Sequence, residues 1–107
     1  FIKKEIELIE FTLKELKKKQ DGIYSDKINA VSNKLLASDE RAYIINKLSD
    51  ENDKLILDIL YLDGVKKSIE RLLHIPALKI VSVNDIYKVS KFDRNPYVEK
   101  YRKNKGD

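Results

Sequence analysis

Apolar residues recur along most of the chain at the three- and four-residue spacing of an amphipathic helix. The clearest stripe lies near the start and comprises Ile2, Ile6, Ile9, Leu13 and Leu16. Spacings of 4, 3, 4 and 3 place these side chains on one face of a helix. The pair Asp21-Gly22 then predicts the end of this first helix.

Capping signals divide the middle of the chain into several shorter predicted helices. Ser25 is a candidate start for a second helix, and Ser38 and Ser49 each precede two acidic residues, as expected at a helix start. The segment "DKLILDILYLDG" is apolar almost all round, which is typical of a helix at the centre of a bundle. Gly64 predicts its end, and a further helix runs from Val65 to just before Pro76.

The last third of the chain predicts a connector followed by two short helices. "ALKIVSV" is rich in β-branched residues and favours an extended connector. Ser82 and Asp85 then form a Ser-x-x-Asp start signal, and Asp93 is a candidate cap for the last helix. The sequence therefore predicts an all-α fold, with a helical bundle and oligomerisation body over residues 1–64 and a helix-turn-helix domain over residues 65–107.

Positive charge is concentrated at the C-terminal end. Residues 1–87 hold 15 Lys/Arg and 15 Asp/Glu, whereas residues 88–107 hold seven Lys/Arg and three Asp/Glu, so the last 20 residues carry the whole net charge of +4. A neutral body with a basic end suits a polyanionic partner. A solubilising tail rich in lysine has the same composition.

The residue types exclude several classes of function. Cysteine is absent and His74 is the single histidine, so neither a thiolate nor a metal-ligand cluster is available. No glycine-rich phosphate loop is present. We therefore expect no catalytic residue, no metal, no cofactor and no enzymatic activity. No run approaches the ~18 apolar residues that a membrane span needs, so we expect no membrane insertion. The absence of cysteine fits a reducing cytoplasm, which is the location we expect. The chain begins at Phe1, so nothing about a targeting segment follows from its first residues.

The stretch "VSVNDIYKVSKFDRNPYVEKYRKN" resembles the helix-turn-helix of TetR-type regulators, and less closely that of LacI- and MerR-type regulators. Residues 81–86 match the apolar-Ser-apolar-x-Asp-Ile start of such motifs. Phe92 and Asp93 match the turn, and Tyr97, Tyr101 and "RKNK" match the recognition helix. The resemblance covers about residues 66–105. Two positions depart from it, because Tyr87 replaces a small residue and Lys91 replaces a glycine.

The order of the two parts also departs from the TetR pattern, in which the DNA-binding domain comes first. A helical body followed by a C-terminal helix-turn-helix is similar to small phage regulators with a domain like sigma-factor region four. In that second register the helices fall at residues 51–62, 65–74 and 77–90, and "IERLLHI" is the first motif helix.

The resemblance implies a small DNA-binding transcriptional regulator that acts as a homodimer. Arg94 and Asn95, at the start of the recognition helix, are then candidates for reading bases. The candidate phosphate contacts are Lys88, Lys91, Lys100, Arg102, Lys103 and Lys105. The first helix, with its Ile2–Leu16 stripe and Phe11 on the opposite side, is the candidate dimer interface.

A second interpretation belongs to another class of function. The alternative is a helical protein–protein interaction module, such as an adaptor, an assembly piece or an inhibitor, without a nucleic-acid role. The amphipathic first helix, Phe11 and the apolar central helix suit a protein partner. The charge asymmetry favours DNA, since an adaptor does not require it.

Overall fold

The computed structural model of the chain describes residues 1–104, and all regular structure within them is helical. Four α-helices follow in the order α1 (Ile2–Ser32), α2 (Ser38–Arg71), α3 (Val83–Ser90) and α4 (Pro96–Asn104), with a 3₁₀ turn at Leu72–His74. The all-α prediction is confirmed. Residues 75–82 form an irregular connection without a strand.

Helix α1 is longer than predicted. It runs through Gly22 without interruption, so the predicted end at Asp21-Gly22 is wrong and Ser25 lies inside the helix. The inward stripe continues beyond Leu16 with half-buried Ile23 and buried Ala30. A glycine in a helix interior costs only about 1 kcal/mol, which the continuing apolar contacts offset.

Helix α2 begins at Ser38, as predicted, with Asp39 and Glu40 in its first turn. It continues through both Ser49 and Gly64, so the predicted breaks at these two residues are wrong. The prediction that residues 53–64 form a helix at the centre of a bundle is also wrong, because Leu57 and Leu60 are exposed to solvent.

The contacts divide the chain into two compact units. Phe1–Lys14 and the described residues from Leu60 onward form one, which we call the terminal unit. Glu15–Ile59 forms the other, the hairpin unit. This grouping differs from the predicted division into residues 1–64 and 65–107, because the start of α1 packs with the C-terminal part of the chain and residues 64 and 65 lie within α2.

All four helices contribute buried side chains to the core of the terminal unit: Ile6, Leu8, Ile9 and Leu13 of α1, Leu62, Val65 and Ile69 of α2, Ile86 and Tyr87 of α3, and Val98 of α4. Leu16 is buried as well. Because the α1 stripe is covered within a single chain, its assignment as a dimer interface is corrected. Ile2 and Phe11 are half-buried, and the Phe11 ring meets that of Tyr101 edge to face, with centroids 5.4 Å apart.

The second helix-turn-helix register does not match this fold. It requires a break between residues 62 and 65, where α2 is continuous, and a helix from residue 77, where the chain is irregular. Helices α3 and α4 lie where the sequence predicts the last two helices, after the start signal at Ser82 and after Asp93.

Candidate nucleic-acid interface

Helix α3 starts at the predicted cap. The Ser82 hydroxyl accepts a hydrogen bond from the Asp85 backbone N–H at 3.3 Å, and the Asp85 carboxylate accepts one from the Val81 N–H at 3.1 Å. The two side chains thus satisfy backbone donors that the first turn of a helix leaves free. The start signal read from the sequence is confirmed.

Lys91 ends α3 in a conformation that is usual for glycine. Its φ of 63° and ψ of 28° lie in the left-handed region. This is the position where the resemblance expects a glycine, and such a backbone is uncommon for a residue with a β-carbon. The turn is therefore formed with lysine in place of glycine, and the Lys91 side chain is exposed.

Asn95, and not Asp93, caps α4. The Asn95 side-chain oxygen accepts a hydrogen bond from the Tyr97 N–H at 2.9 Å, and Pro96 occupies the first helical position. Proline suits that position because its missing N–H would have no partner there. Asn95 is buried in this role, so its assignment as a base-reading residue is corrected.

A buried charge cluster joins three helices of the terminal unit. It consists of Glu5 of α1, Tyr87 of α3 and Arg102 of α4. The Arg102 guanidinium donates to both Glu5 carboxylate oxygens, at 2.8 and 2.6 Å, and the Tyr87 hydroxyl donates to Glu5 Oε2. Each of the three side chains is buried. The Arg102 side chain therefore lies in the interior, paired with Glu5. Its assignment as a phosphate contact is corrected.

Two side chains of the cluster, Tyr87 and Arg102, have raised pKa values. Burial, followed by the hydrogen bond to Glu5, raises the pKa of Tyr87 far above its usual value. The hydrogen bond to Glu5 outweighs desolvation and raises the pKa of Arg102. Both groups therefore keep their protons at neutral pH, and the cluster holds one buried carboxylate against one buried guanidinium.

Sequence reasoning missed Glu5, which lies 97 residues from Arg102. The sequence does hold a signal for the burial of Glu5, because Glu5 stands four residues before Ile9 of the apolar stripe. In the structure the same helix face also carries buried Thr12. Nothing in the local pattern around Arg102 distinguishes it from the exposed Lys103 beside it.

Arg94 lies on the outside of the turn, held by two neighbours. Its guanidinium forms two hydrogen bonds with the Glu99 carboxylate, at 2.7 and 2.9 Å, and one with the Asn84 side-chain oxygen at 2.8 Å. Desolvation opposes the ionised form of Glu99, but the hydrogen bonds from Arg94 and Arg102 outweigh it and lower the pKa of that carboxyl. Arg94 is exposed but partly neutralised, with a fixed orientation.

Four lysines present free charge around this turn. Lys88 lies four residues after Asn84, on the same face of α3, and Lys91 lies three residues after Lys88. Lys100 and Lys103 lie on the exposed face of α4. In the part of the chain that the structure describes, these four lysines form no ion pair. Lys105, also assigned to phosphate contacts, lies outside the described residues.

As a helix-turn-helix, the stretch predicts that Ile86, Val89, Tyr97, Val98 and Tyr101 pack the last helix onto its neighbours, and four of these five side chains are buried or half-buried. Ile86 and Val98 are fully buried, and Tyr97 and Tyr101 are half-buried. Val89, expected to pack inward, is exposed. The Lys100 ammonium lies 5.9 Å from the centre of the Tyr101 ring, a distance at which a cation and an aromatic face attract each other.

Other kinds of site are not evident among residues 1–104. They contain no group of three or more His, Cys, Asp or Glu side chains placed to hold a metal ion. None of their helices combines the length and the apolar character needed to cross a bilayer.

Comparison of the chain with protein-family models, with curated proteins and with solved structures finds no match.

Proposed function

We propose that the chain binds DNA through the outer surface of the α3–α4 pair. The observation that carries the proposal is the set of four exposed lysines on α3, on α4 and at the turn between them: Lys88, Lys91, Lys100 and Lys103. These lysines are the phosphate contacts, since each gains by releasing a counterion from the DNA backbone. Arg102 and Asn95 have no part in the contact.

The difference in charge between the two units also supports DNA binding by α3 and α4. The terminal unit, over residues 1–14 and 60–104, holds 13 Lys/Arg and eight Asp/Glu, whereas the hairpin unit holds eight and nine. Attraction to a polyanion is therefore concentrated in the unit that contains α3 and α4.

Binding of the full chain to a fluorescent DNA duplex tests the proposal through its salt dependence. Four phosphate contacts predict a slope of log K against log salt of about −3 to −4. The double variant Lys100→Ala/Lys103→Ala should weaken binding and flatten the slope by about two units. Its matched control, Lys47→Ala/Lys54→Ala, removes two exposed lysines from the hairpin unit and should leave the slope unchanged.

Two results would contradict the proposal. One is a failure of the wild-type chain to bind DNA at about 50 mM salt, where nonspecific electrostatic binding is strong. The other is an equal loss of affinity in the two double variants, since it would show a general charge effect without a defined contact surface.

Arg94 is the proposed source of any base preference. Glu99 and Asn84 hold its guanidinium outward at the start of α4, and arginine pairs well with guanine in the major groove. Arg94→Ala should cost roughly 1–3 kcal/mol on a selected DNA site and relax the preference at one base pair. If DNA sequences selected with Arg94→Ala show the same base preference as those selected with the wild-type chain, Arg94 does not read a base.

A second candidate function is protein binding, and a different observation favours it. The hairpin unit exposes seven large apolar side chains: Tyr24, Ile28, Val31, Leu35, Tyr43, Ile56 and Leu57. DNA binding by the terminal unit does not require these exposed apolar side chains, and they support a protein as a second kind of partner.

A further inference from the structure

The exposed apolar residues of α1 form one stripe on the hairpin unit. Tyr24, Ile28 and Val31 follow spacings of four and three, so they lie on a single helix face. Their exposures are 67%, 47% and 59%. Leu35 follows in the connection to α2 and is 94% exposed. We call these four residues the outer stripe.

The hairpin unit has little core of its own. Its two helix segments run antiparallel, joined by residues 33–37 and by a hydrogen bond from Gln20 to Asn52 at 3.4 Å. Within it only Leu16 and Ala30 are fully covered apolar residues. Two packed helices bury one face each and leave the other faces in water, whereas stable helical domains cover their apolar faces with further elements.

The area of the outer stripe provides most of what a small dimer interface needs. Its four side chains expose roughly 500 Å² together, if a fully exposed large side chain presents about 200 Å². Two copies facing each other then bury on the order of 1,000 Å² of apolar surface. With the polar residues around the stripe, the total reaches the ~1,200–2,000 Å² of a stable interface.

Charge also favours a second copy as the occupant. The hairpin unit holds eight Lys/Arg and nine Asp/Glu, a net charge of only −1, so the repulsion between two units is small. Asp21 precedes Tyr24 by three residues, and Lys34 follows Val31 by three. When two stripes pair antiparallel about a twofold axis between Lys27 and Ile28, Asp21 of each copy comes opposite the turn just beyond α1 that carries Lys34 of the other.

We propose that the outer stripe is the interface of a symmetric homodimer, in which the α1 segments of two hairpin units pack antiparallel and close a four-helix arrangement. The interface is isologous, so the same residues serve both copies. The inference does not depend on DNA binding, because it concerns the unit without the basic surface.

The first test measures the mass of the full chain in solution by sedimentation and light scattering, from about 5 to 500 µM. The wild-type chain should shift from monomer to dimer within this range. Val31→Glu places a charge in the stripe and should raise the dimer dissociation constant at least about 30-fold. Val81→Glu, the same change at a valine of the terminal unit that is 76% exposed, should leave it unchanged.

Both variants replace solvent-exposed residues, and helix content by circular dichroism checks that they fold. A wild-type chain that stays monomeric throughout the range overturns the proposal and leaves the stripe to a different protein. Equal dissociation constants for Val31→Glu and Val81→Glu overturn it too, since the dimer would then use another surface.

A charge exchange tests the antiparallel arrangement. Asp21→Lys alone and Lys34→Asp alone should each weaken the dimer several-fold, because like charges then meet across the interface. The double variant Asp21→Lys/Lys34→Asp should restore the wild-type dissociation constant. Additive losses in the double variant contradict the antiparallel pairing.

Discussion

At the scale of the residue, the contact between Glu5 and Arg102 has the largest expected effect on stability. Arg102→Met leaves the Glu5 carboxylate buried with one hydroxyl partner, and breaking a buried ion pair in this way costs about 3–5 kcal/mol. Chemical denaturation followed by circular dichroism measures the loss. Lys103→Met, at the exposed neighbouring position, should change the free energy of unfolding by less than about 0.5 kcal/mol.

The double variant Glu5→Leu/Arg102→Met provides the control for the buried charge. It should recover part of the stability that Arg102→Met loses, because no isolated ion remains in the core. If Arg102→Met and Lys103→Met are equally stable, Arg102 is not buried in solution, and a role for it at the surface is open again.

Tyr87 predicts a specific response to alkaline pH. Its pKa is raised in the folded chain by burial and by the hydrogen bond to Glu5, whereas in the unfolded chain it ionises near pH 10. The unfolded state therefore loses a proton that the folded state keeps, and the contribution of Tyr87 to stability is complete below about pH 10 and falls above it.

Measuring the free energy of unfolding of the wild type and of Tyr87→Phe between about pH 8 and 11.5 tests whether the contribution of Tyr87 falls as pH rises. At pH 8 the variant should be less stable by roughly 1.5–3 kcal/mol, the value of a hydrogen bond to a charged group. The difference should shrink as pH rises, since phenylalanine cannot ionise. Parallel stability curves for the two proteins would contradict the buried hydrogen bond.

At the scale of the element, the two glycines inside helices are expected to lower stability. A β-carbon added at Gly22 or Gly64 meets no atom within 4 Å, and both positions lie well inside α1 and α2. Gly22→Ala and Gly64→Ala should each stabilise the chain by roughly 0.5–1 kcal/mol. A loss of stability in thermal or chemical unfolding would indicate that the helix ends there, as local sequence signals suggest.

Lys91 combines an unfavourable backbone conformation with an exposed charge. Lys91→Gly should stabilise the chain by about 1 kcal/mol, because a left-handed backbone is costly for a residue with a β-carbon. It should also weaken DNA binding and flatten the salt slope by about one unit. Lys91→Ala is the matched control, which loses the same charge and should lack the gain in stability. DNA binding unchanged in both variants would exclude Lys91 from the contact.

Local signals were sufficient to predict some elements of this chain and insufficient for others. The start of α2 at Ser38, the cap of α3 at Ser82 and the turn around Lys91 follow from residues within a few positions of one another. The predicted ends at Gly22, Ser49 and Gly64 fail because each costs about 1 kcal/mol or less, and tertiary contacts along a continuous helix outweigh so small a penalty.

The features of the candidate site also divide into those that local sequence predicts and those that it does not. The exposure of Lys88, Lys100 and Lys103 was predictable, since lysine is almost never fully buried without a partner. The burial of Arg102 was not, because its partner Glu5 lies at the other end of the sequence. Asn95 instead of Asp93 became the cap of α4 because Pro96 best fits the first position of a helix.

At the scale of the whole molecule, the two units should differ in local stability. The terminal unit has buried side chains from four helices, and the hairpin unit has two fully buried apolar residues. Segments with few buried contacts open more readily, so backbone amides of Glu15–Ile59 should exchange hydrogen faster than those of the terminal unit. Hydrogen exchange followed by mass spectrometry checks this ranking, and equal protection of the two units would contradict it.

The terminal unit is assembled from two distant parts of the sequence, and this has a consequence for biosynthesis. Glu5 leaves the ribosome 97 residues before Arg102. At about 5–20 residues per second, the apolar face of α1 waits several seconds for its partners on α3 and α4. During translation that face is exposed apolar surface, and a ribosome stalled before residue 83 would hold a nascent chain in which only α2 can cover it.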